Sequence, residues 1–366
     1  MRVFKFGGAS VKNAAAVKNV ADILREYGHG PLVIVISAMG KTTNALEEIF
    51  LSYRTGGQTN PKIASLREWH LDIINDLFAN GNRILSDEID NMFLSLELYF
   101  SKEIDSNYDL VYDQVVCYGE LISTKIVSAY LNHVGYKNKW VDARNFIITN
   151  DLYRDARIDL DVTATLIERK IPGFTSSRPV ITQGFIGSTK DNFTTTLGRE
   201  GSDFTASIFA YALNAEELVI WKDVPGIMNA DPGKFPDTVK FDKLSYEQAV
   251  EMTYYGASVL HPKTIKPIEN KGIPLHVKSF IHPELTGTYV TGDASVNTGV
   301  PIIILKEKQL LLSLCTRDFS FIAEENINKI FQEVVNQGMK VNLMQNTAIS
   351  FQICIDDREI KVERFK

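Results

Sequence analysis

Lys5-Phe6-Gly7-Gly8-Ala9-Ser10 lies between a short apolar run at 2–6 and a helical pattern at 11–27. A strand that opens into two adjacent glycines and then a helix forms a phosphate pocket. Paired glycines let backbone N–H groups approach an anion with no Cβ in the way. Ser10 is placed to cap the following helix, whose free N–H groups and positive dipole end favour phosphate. Lys5, at the strand's end, adds a mobile positive charge that can follow a phosphoryl group in transfer. Val17, Val20, Ala21 and Leu24 recur at helical spacing, and Gly28 closes the helix. Alone, a Gly-Gly pair is equally well read as a tight strand–helix turn beside a surface lysine, so the rest of the chain decides.

Outward from this segment, β-rich apolar runs alternate with helical patterns as far as residue 285 or so. The runs at 2–6, 32–37, 139–142, 179–185 and 218–221 read as strands, and Leu32-Val33-Ile34-Val35-Ile36 suits a buried central one. Helical patterns fill 11–27, 43–53, 61–105, 112–132, 203–213 and 245–256. This predicts an α/β fold with a mainly parallel central sheet sandwiched by helices. The stretch 61–105 mixes polar and aromatic residues and suits a lid or a dimer surface. A polar, glycine-containing joint at 291–299 separates a domain over 1–290 from a segment over 300–366. That segment reads strand 310–315, helix 324–337, strand 339–344 and strand 348–355, the first two-thirds of a ferredoxin-like β-α-β-β-α-β unit.

Composition narrows the class. The 366 residues carry 39 basic and 45 acidic side chains, a net charge of −6 with no basic block, which argues against a nucleic-acid partner. Cys117, Cys315 and Cys354 are scattered and odd in number, as expected of reduced residues in a cytoplasmic protein. The opening Met1-Arg2-Val3-Phe4 lacks an apolar targeting region, and no run reaches membrane-spanning length.

Ser37-Ala38-Met39-Gly40-Lys41-Thr42-Thr43-Asn44 follows the central strand. It ends like a mononucleotide P-loop, but Val35 stands where that pattern needs glycine, leaving a hydroxyl-rich loop where open α/β sheets place ligands. Glu120 sits in the apolar stretch 115–122, where a carboxylate either meets a cation such as a substrate ammonium or lies on an exposed helix face. In Gly198-Arg199-Glu200-Gly201-Ser202-Asp203, an arginine fork beside a helix start suits a carboxylate or phosphate, although capping accounts for part of the pattern. Asp203 is read as orienting the attacking group or helping to hold Mg²⁺. The turns of 221–232, Pro-Gly then Asp-Pro, make a stiff loop suited to a nucleotide base and ribose. His261 is read as structural. No GxGxxG follows a strand, which leaves a dinucleotide dehydrogenase without support.

In order and spacing, these segments resemble aspartate kinases of the amino-acid-kinase superfamily. The matching motifs are KFGGAS at 5–10, SAMGKTTN at 37–44, YGE at 118–120, GFIG at 184–187, GREGSDFTA at 198–206, WKDVPGI at 221–227 and GASVLHP at 256–262. The resemblance implies the amino-acid-kinase fold and transfer of the ATP γ-phosphoryl group to the β-carboxylate of L-aspartate, with Mg²⁺. It places Lys5, Glu120, Arg199 and Asp203 in catalysis. It assigns Ser37, Thr43, Glu120, Phe185, Arg199, Gly201 and Ser202 to aspartate. To ATP it assigns Lys5, Phe6, Gly7, Gly8, Ser10, Lys222, Asp223, Met228, Asp231, Gly233, Lys234, Ser258 and Val259. It implies no direct protein ligand to the metal, and it implies a homodimer.

Some positions depart from the usual pattern. Ala9 replaces a common threonine and Met228 a tyrosine, while Gly233 and Ser258 stand where arginine and lysine commonly face ATP phosphates. Lys234 and Lys263 are close in sequence and are expected to substitute. The segment 300–366 resembles the start of an ACT module, with 339–355 corresponding to the part that binds lysine or threonine as effector. Two other readings remain: a different acyl-phosphate-forming amino-acid kinase, and a non-catalytic amino-acid-binding regulator on the same scaffold.

Overall fold

The computed structural model describes residues 1–101, 106–255, 260–293, 295, 299–316, 321, 323–337, 339 and 341–356. In chain order the strands are β1 (Arg2–Phe6), β2 (Leu32–Ile36), β3 (Lys139–Trp140), β4 (Val180–Gln183), β5 (Ile186–Ser188), β6 (Thr194–Thr196), β7 (Glu217–Lys222), β8 (Lys243–Ser245), β9 (Leu275–Ser279), β10 (Thr288–Thr291), β11 (Gln309–Cys315), β12 (Val341–Asn346) and β13 (Ser350–Asp356). The helices are α1 (Ala14–Tyr27), α2 (Thr42–Arg54), α3 (Asn60–Leu77), α4 (Arg83–Phe100), α5 (Tyr108–Val116), α6 (Tyr118–His133), α7 (Leu160–Thr175), α8 (Gly201–Ala212), α9 (Tyr246–Tyr255), α10 (Pro262–Glu269) and α11 (Glu324–Asn336).

Eight strands form one sheet in the order β3-β4-β2-β1-β7-β9-β10-β8, parallel except for the β9–β10 pair. The mainly parallel α/β expectation is met. From β1 the chain runs to β2 on one side and later returns to β7 on the other, so the sheet's switch point lies at β1. In such sheets the crevice for ligands opens at the carboxyl ends of the strands beside that point.

Alternation along β1 sorts its side chains. Phe4 and Phe6 join the core shared with α1 to α6, where Phe6 stacks on Trp221 at 6.0 Å between ring centroids. Lys5 points to the opposite face and meets α8 there. All five residues of β2 are buried, as their unbroken apolar run requires.

The helical boundaries differ instructively from the expected ones. The stretch 61–105 is two helices, because Gly81 takes a positive φ of 68° and Asn82 caps α4 through its side chain. Both α3 and α4 bury one face in the main core, so this stretch is part of a structural layer. The pattern at 112–132 is also two helices, with Cys117 at the joint. Ser10 does not cap α1: it lies in a 3-10 turn (Gly8–Val11), and Asn13 Oδ1 accepts from Ala16 N–H at 2.9 Å instead. Sequence reading passed over α7 because its buried stripe is Thr163, Ile167, Ile171 and Thr175, half of it polar, with Pro172 near its end.

The chain divides into two compact units, one over Met1–Tyr254 and on to Pro301, the other from Ile302 onward together with Tyr255. In the second, β11-β13-β12 form an antiparallel sheet. Ile327, Ile330, Phe331 and Val334 of α11 pack on Phe351, Ile353 and Ile355 of β13. Among the described residues, no helix is long and apolar enough to cross a membrane.

Candidate active site

Three loops meet where β1, β2 and β4 end. Gly8 O accepts from Gly40 N–H at 3.1 Å, and a Cβ on Gly8 would sit 2.9 Å from Ala38 O. Only glycine lets these backbones approach so closely. Ser37 N–H donates to Phe6 O at 3.1 Å and Gly184 N–H to Ile36 O at 3.0 Å, so each strand end is tied to the next. From the side, α6 closes on the 37–38 loop: Ser123 Oγ donates to Ser37 O at 2.7 Å, and Ala38 N–H to Glu120 Oε1 at 3.3 Å. Gly119 keeps that approach close, since a Cβ there would stand 3.0 Å from that of Ala38.

The resulting cleft, of about 450 Å³, is lined by eight residues expected from sequence: Lys5, Gly8, Ser37, Thr43, Glu120, Phe185, Gly201 and Ser202. It also takes in Asn44 and Glu200, which sequence reading missed. Asn44 was visible as the last residue of its motif. Glu200 carries a different mark: it holds a left-handed φ of 55° at the start of α8, and Phe185 holds 68°. Non-glycine residues in that region cost about 1–3 kcal/mol each and cluster at functional sites.

Two carboxylates dominate the electrostatics. Asp203, fully buried in the first turn of α8, meets Lys5 Nζ at 2.6 Å and Lys222 Nζ at 3.4 Å. Burial alone would push its carboxyl up, but the two ammonium groups outweigh that and hold it below the usual range. Both of its oxygens face lysines, so Asp203 holds the two cations in place. Glu120 is the opposite case. It is 3% exposed, not on an exposed face, and burial pushes its carboxyl up to about 8 against the Ala38 N–H bond. Its Oε2 has no hydrogen-bond partner among the described residues.

The remaining expected residues lie outside this cleft. Arg199 is exposed and does not line it, and its guanidinium has no partner among the described residues. Phe6 reaches the site only through its carbonyl, its ring being in the core. Gly7 precedes the 3-10 turn that buries Ser10. Asp223, Asp231, Gly233 and Lys234 are exposed and Met228 half-buried; Asp231 Oδ1 accepts from Gly233 N–H at 2.9 Å. Lys263 Nζ is ion-paired with Asp155. Ser258 and Val259 lie outside the described residues. His261 Nδ1 accepts from Lys263 N–H at 3.2 Å, capping α10, in keeping with its structural reading.

The amino acid kinase family model matches residues 1–279. The chain belongs to that family. Within it, the chain is 31% identical to lysine-sensitive aspartokinase 3 of Escherichia coli, over 97% of this chain and 78% of that one, which places it among the aspartokinases. It is 31% identical to the chloroplastic aspartokinase 2 of Arabidopsis thaliana over 98% of its own length, but spans only 66% of that relative. A crystal structure of E. coli aspartokinase III in complex with aspartate and ADP superposes with a TM-score of 0.84 at 29% identity, covering 97% of this chain and 78% of that one.

Proposed function

We propose that this chain is an aspartate kinase: it transfers the γ-phosphoryl group of ATP to the β-carboxylate of L-aspartate, giving 4-phospho-L-aspartate and ADP. The observation that carries the reading is one cleft with a buried, half-unpartnered Glu120 beside Lys5, whose ammonium is fixed by Asp203. Glu120 takes the α-ammonium of the amino acid, and Arg199 swings in from solvent to grip its α-carboxylate. The β-carboxylate is then left to attack. A carboxylate already carries its nucleophilic lone pair, so no general base is needed. The new O–P bond forms as the bond from γ-phosphorus to the bridging oxygen breaks, and that electron pair leaves on ADP. What the protein supplies is position and positive charge: Lys5, Lys222 and the N–H groups at Gly7 and Gly8 face the oxygens that gain charge. Mg²⁺, when bound with the nucleotide, would supply further neutralisation of phosphate charge beside Lys5 and Lys222, which Asp203 holds.

The reading extends to a catalytic domain over 1–290 and an ACT-like module over 300–366, to a homodimer in the cytoplasm, and to lysine as the effector favoured over threonine. Support for lysine comes from the name of the lysine-sensitive E. coli relative. Incubating the chain with ATP, Mg²⁺ and hydroxylamine is expected to give aspartyl hydroxamate and ADP with aspartate, and neither with glutamate or N-acetylglutamate. ADP release indifferent to aspartate would sink the proposal.

Two lysines are proposed to replace the missing cations: Lys263, which is ion-paired with Asp155, and Lys234. It sits one residue beyond Gly233 in the turn where Lys234 N–H donates to Asp231 O at 3.0 Å. For Lys234→Ala we expect the KM for ATP to rise about fivefold, roughly 1 kcal/mol for one exposed charge-assisted contact. Steady-state kinetics with the KM for aspartate as internal control checks this.

A further inference from the structure

We propose that Asp113 is a positioning residue for the amino-acid half of the cleft, setting the 198–203 loop against Glu120 through a buried clamp on β6. The inference rests on the aspartate kinase reading and adds a part of the machinery that no motif announces.

Asp113 is fully buried near the end of α5 and touches no residue assigned to a substrate. Its Oδ2 accepts from Thr196 N–H at 2.8 Å and from Arg154 N–H at 3.0 Å, and its Oδ1 accepts from Thr196 Oγ1 at 2.7 Å. Burial outweighs these three donors and leaves the carboxyl raised to about 6. The next residue repeats the grip: Gln114 Nε2 donates to Thr194 O at 2.8 Å and Gln114 Oε1 accepts from Thr194 N–H at 3.4 Å. β6 pairs with β5 along one edge only. Asp113 and Gln114, with Ala156 N–H donating to Thr196 O at 2.9 Å, therefore satisfy its other edge, where a further strand would otherwise bond.

β6 ends two residues before Gly198, so fixing Thr196 fixes where the Gly198–Ser202 wall begins. The second contact acts on the same wall. Arg154 holds a left-handed φ of 68°, and the adjacent Asp155 lies so close to Gly198 that a Cβ there would come within 2.7 Å of its Oδ1. On the other side of Asp113, Tyr112 OH donates to Glu47 Oε1 of α2, the helix whose first turn carries Thr43 and Asn44. α5 leads directly into α6, which carries Glu120. Three walls of the cleft thus take their register from Tyr112-Asp113-Gln114.

The test compares Asp113→Asn, Thr196→Val and Thr196→Ser in the full chain. Thr196→Val and Asp113→Asn are expected to raise the KM for aspartate about tenfold while the KM for ATP stays within twofold. Thr196→Ser, which keeps the hydroxyl donor, should restore the wild-type KM. An unchanged KM for aspartate in Thr196→Val with only a lowered Tm overturns the inference, as does an equal rise in both KM values. If Asp113→Asn does not fold, the Thr196 pair decides alone. A wild-type chain without aspartate-dependent turnover would instead sink the kinase reading. Calorimetric titration with aspartate then decides the inference: tenfold weaker binding to Thr196→Val than to wild type upholds it, and equal or absent binding to both overturns it.

Discussion

Replacing Asp203 with alanine is expected to lower kcat by at least about a hundredfold and to cost about 3–5 kcal/mol of stability, the range for breaking a buried ion pair. The carboxylate is fully buried and meets both Lys5 Nζ at 2.6 Å and Lys222 Nζ at 3.4 Å. Without it, two ammonium groups face each other in a low-dielectric pocket, and Lys5 loses the contact that aims it. Asp203→Asn keeps the shape but not the charge, so it should retain more stability than alanine while losing nearly as much kcat. The pH dependence has a definite sign. The folded carboxyl lies below its ordinary 3.8, so its contribution is fully present above that pH and is lost as pH falls through the folded value. Urea titrations between neutral pH and pH 3 should show the wild type losing this advantage over Asp203→Asn. Wild-type midpoints and kcat in the alanine variant would show that the two lysines find their places unaided.

The ends of the sheet strands were legible because chemistry and backbone demand coincide there. In KFGGAS the same glycines that open the pocket permit the approach of Gly8 to Ala38, and in YGE the residue before Glu120 packs α6 on the 37–38 loop. Local patterns record such demands. They do not record partners far apart in the chain: Lys222, Asp203 and Lys5 lie on three different elements, so their mutual ion pairs became visible only when β1 and β7 paired and α8 crossed them. Asp113 shows the same limit more sharply. In sequence it is one acidic residue in an amphipathic helix, and its partner Thr196 is 83 residues away. A helix escapes the pattern where polar residues take apolar positions, as in α7, and a boundary escapes it where an Asn-Gly-Asn turn breaks a continuous pattern, as between α3 and α4. Ser10 was misread as a cap because a 3-10 turn inserts itself between the glycines and α1.

Glu120 yields the second large effect. For Glu120→Gln the KM for aspartate is expected to rise about a hundredfold, with the KM for ATP within twofold, because the lost partner is the buried carboxylate that takes the ammonium group. The argument turns on protonation. In the ligand-free protein burial holds this carboxyl at about 8, so near neutrality it is largely neutral, and its Oε2 has no partner among the described residues. An arriving ammonium favours the ionised form, so binding aspartate releases a proton. Affinity for aspartate should accordingly improve as pH rises from 6 towards 8, by at most about tenfold per unit. The stability of the free chain runs the other way. A carboxyl whose folded value is raised from 4.5 to about 8 contributes fully below the lower figure and loses that contribution as pH climbs through the upper one. Glutamine removes both slopes, so the variant should gain stability relative to wild type between pH 6 and pH 8 while its weak aspartate binding becomes independent of pH. Calorimetry in buffers of different ionisation enthalpy measures the released proton directly. A wild-type chain that binds aspartate without releasing one either carries Glu120 already ionised or keeps it neutral with the ammonium held by another group, and an unchanged KM for aspartate in Glu120→Gln would single out the second case.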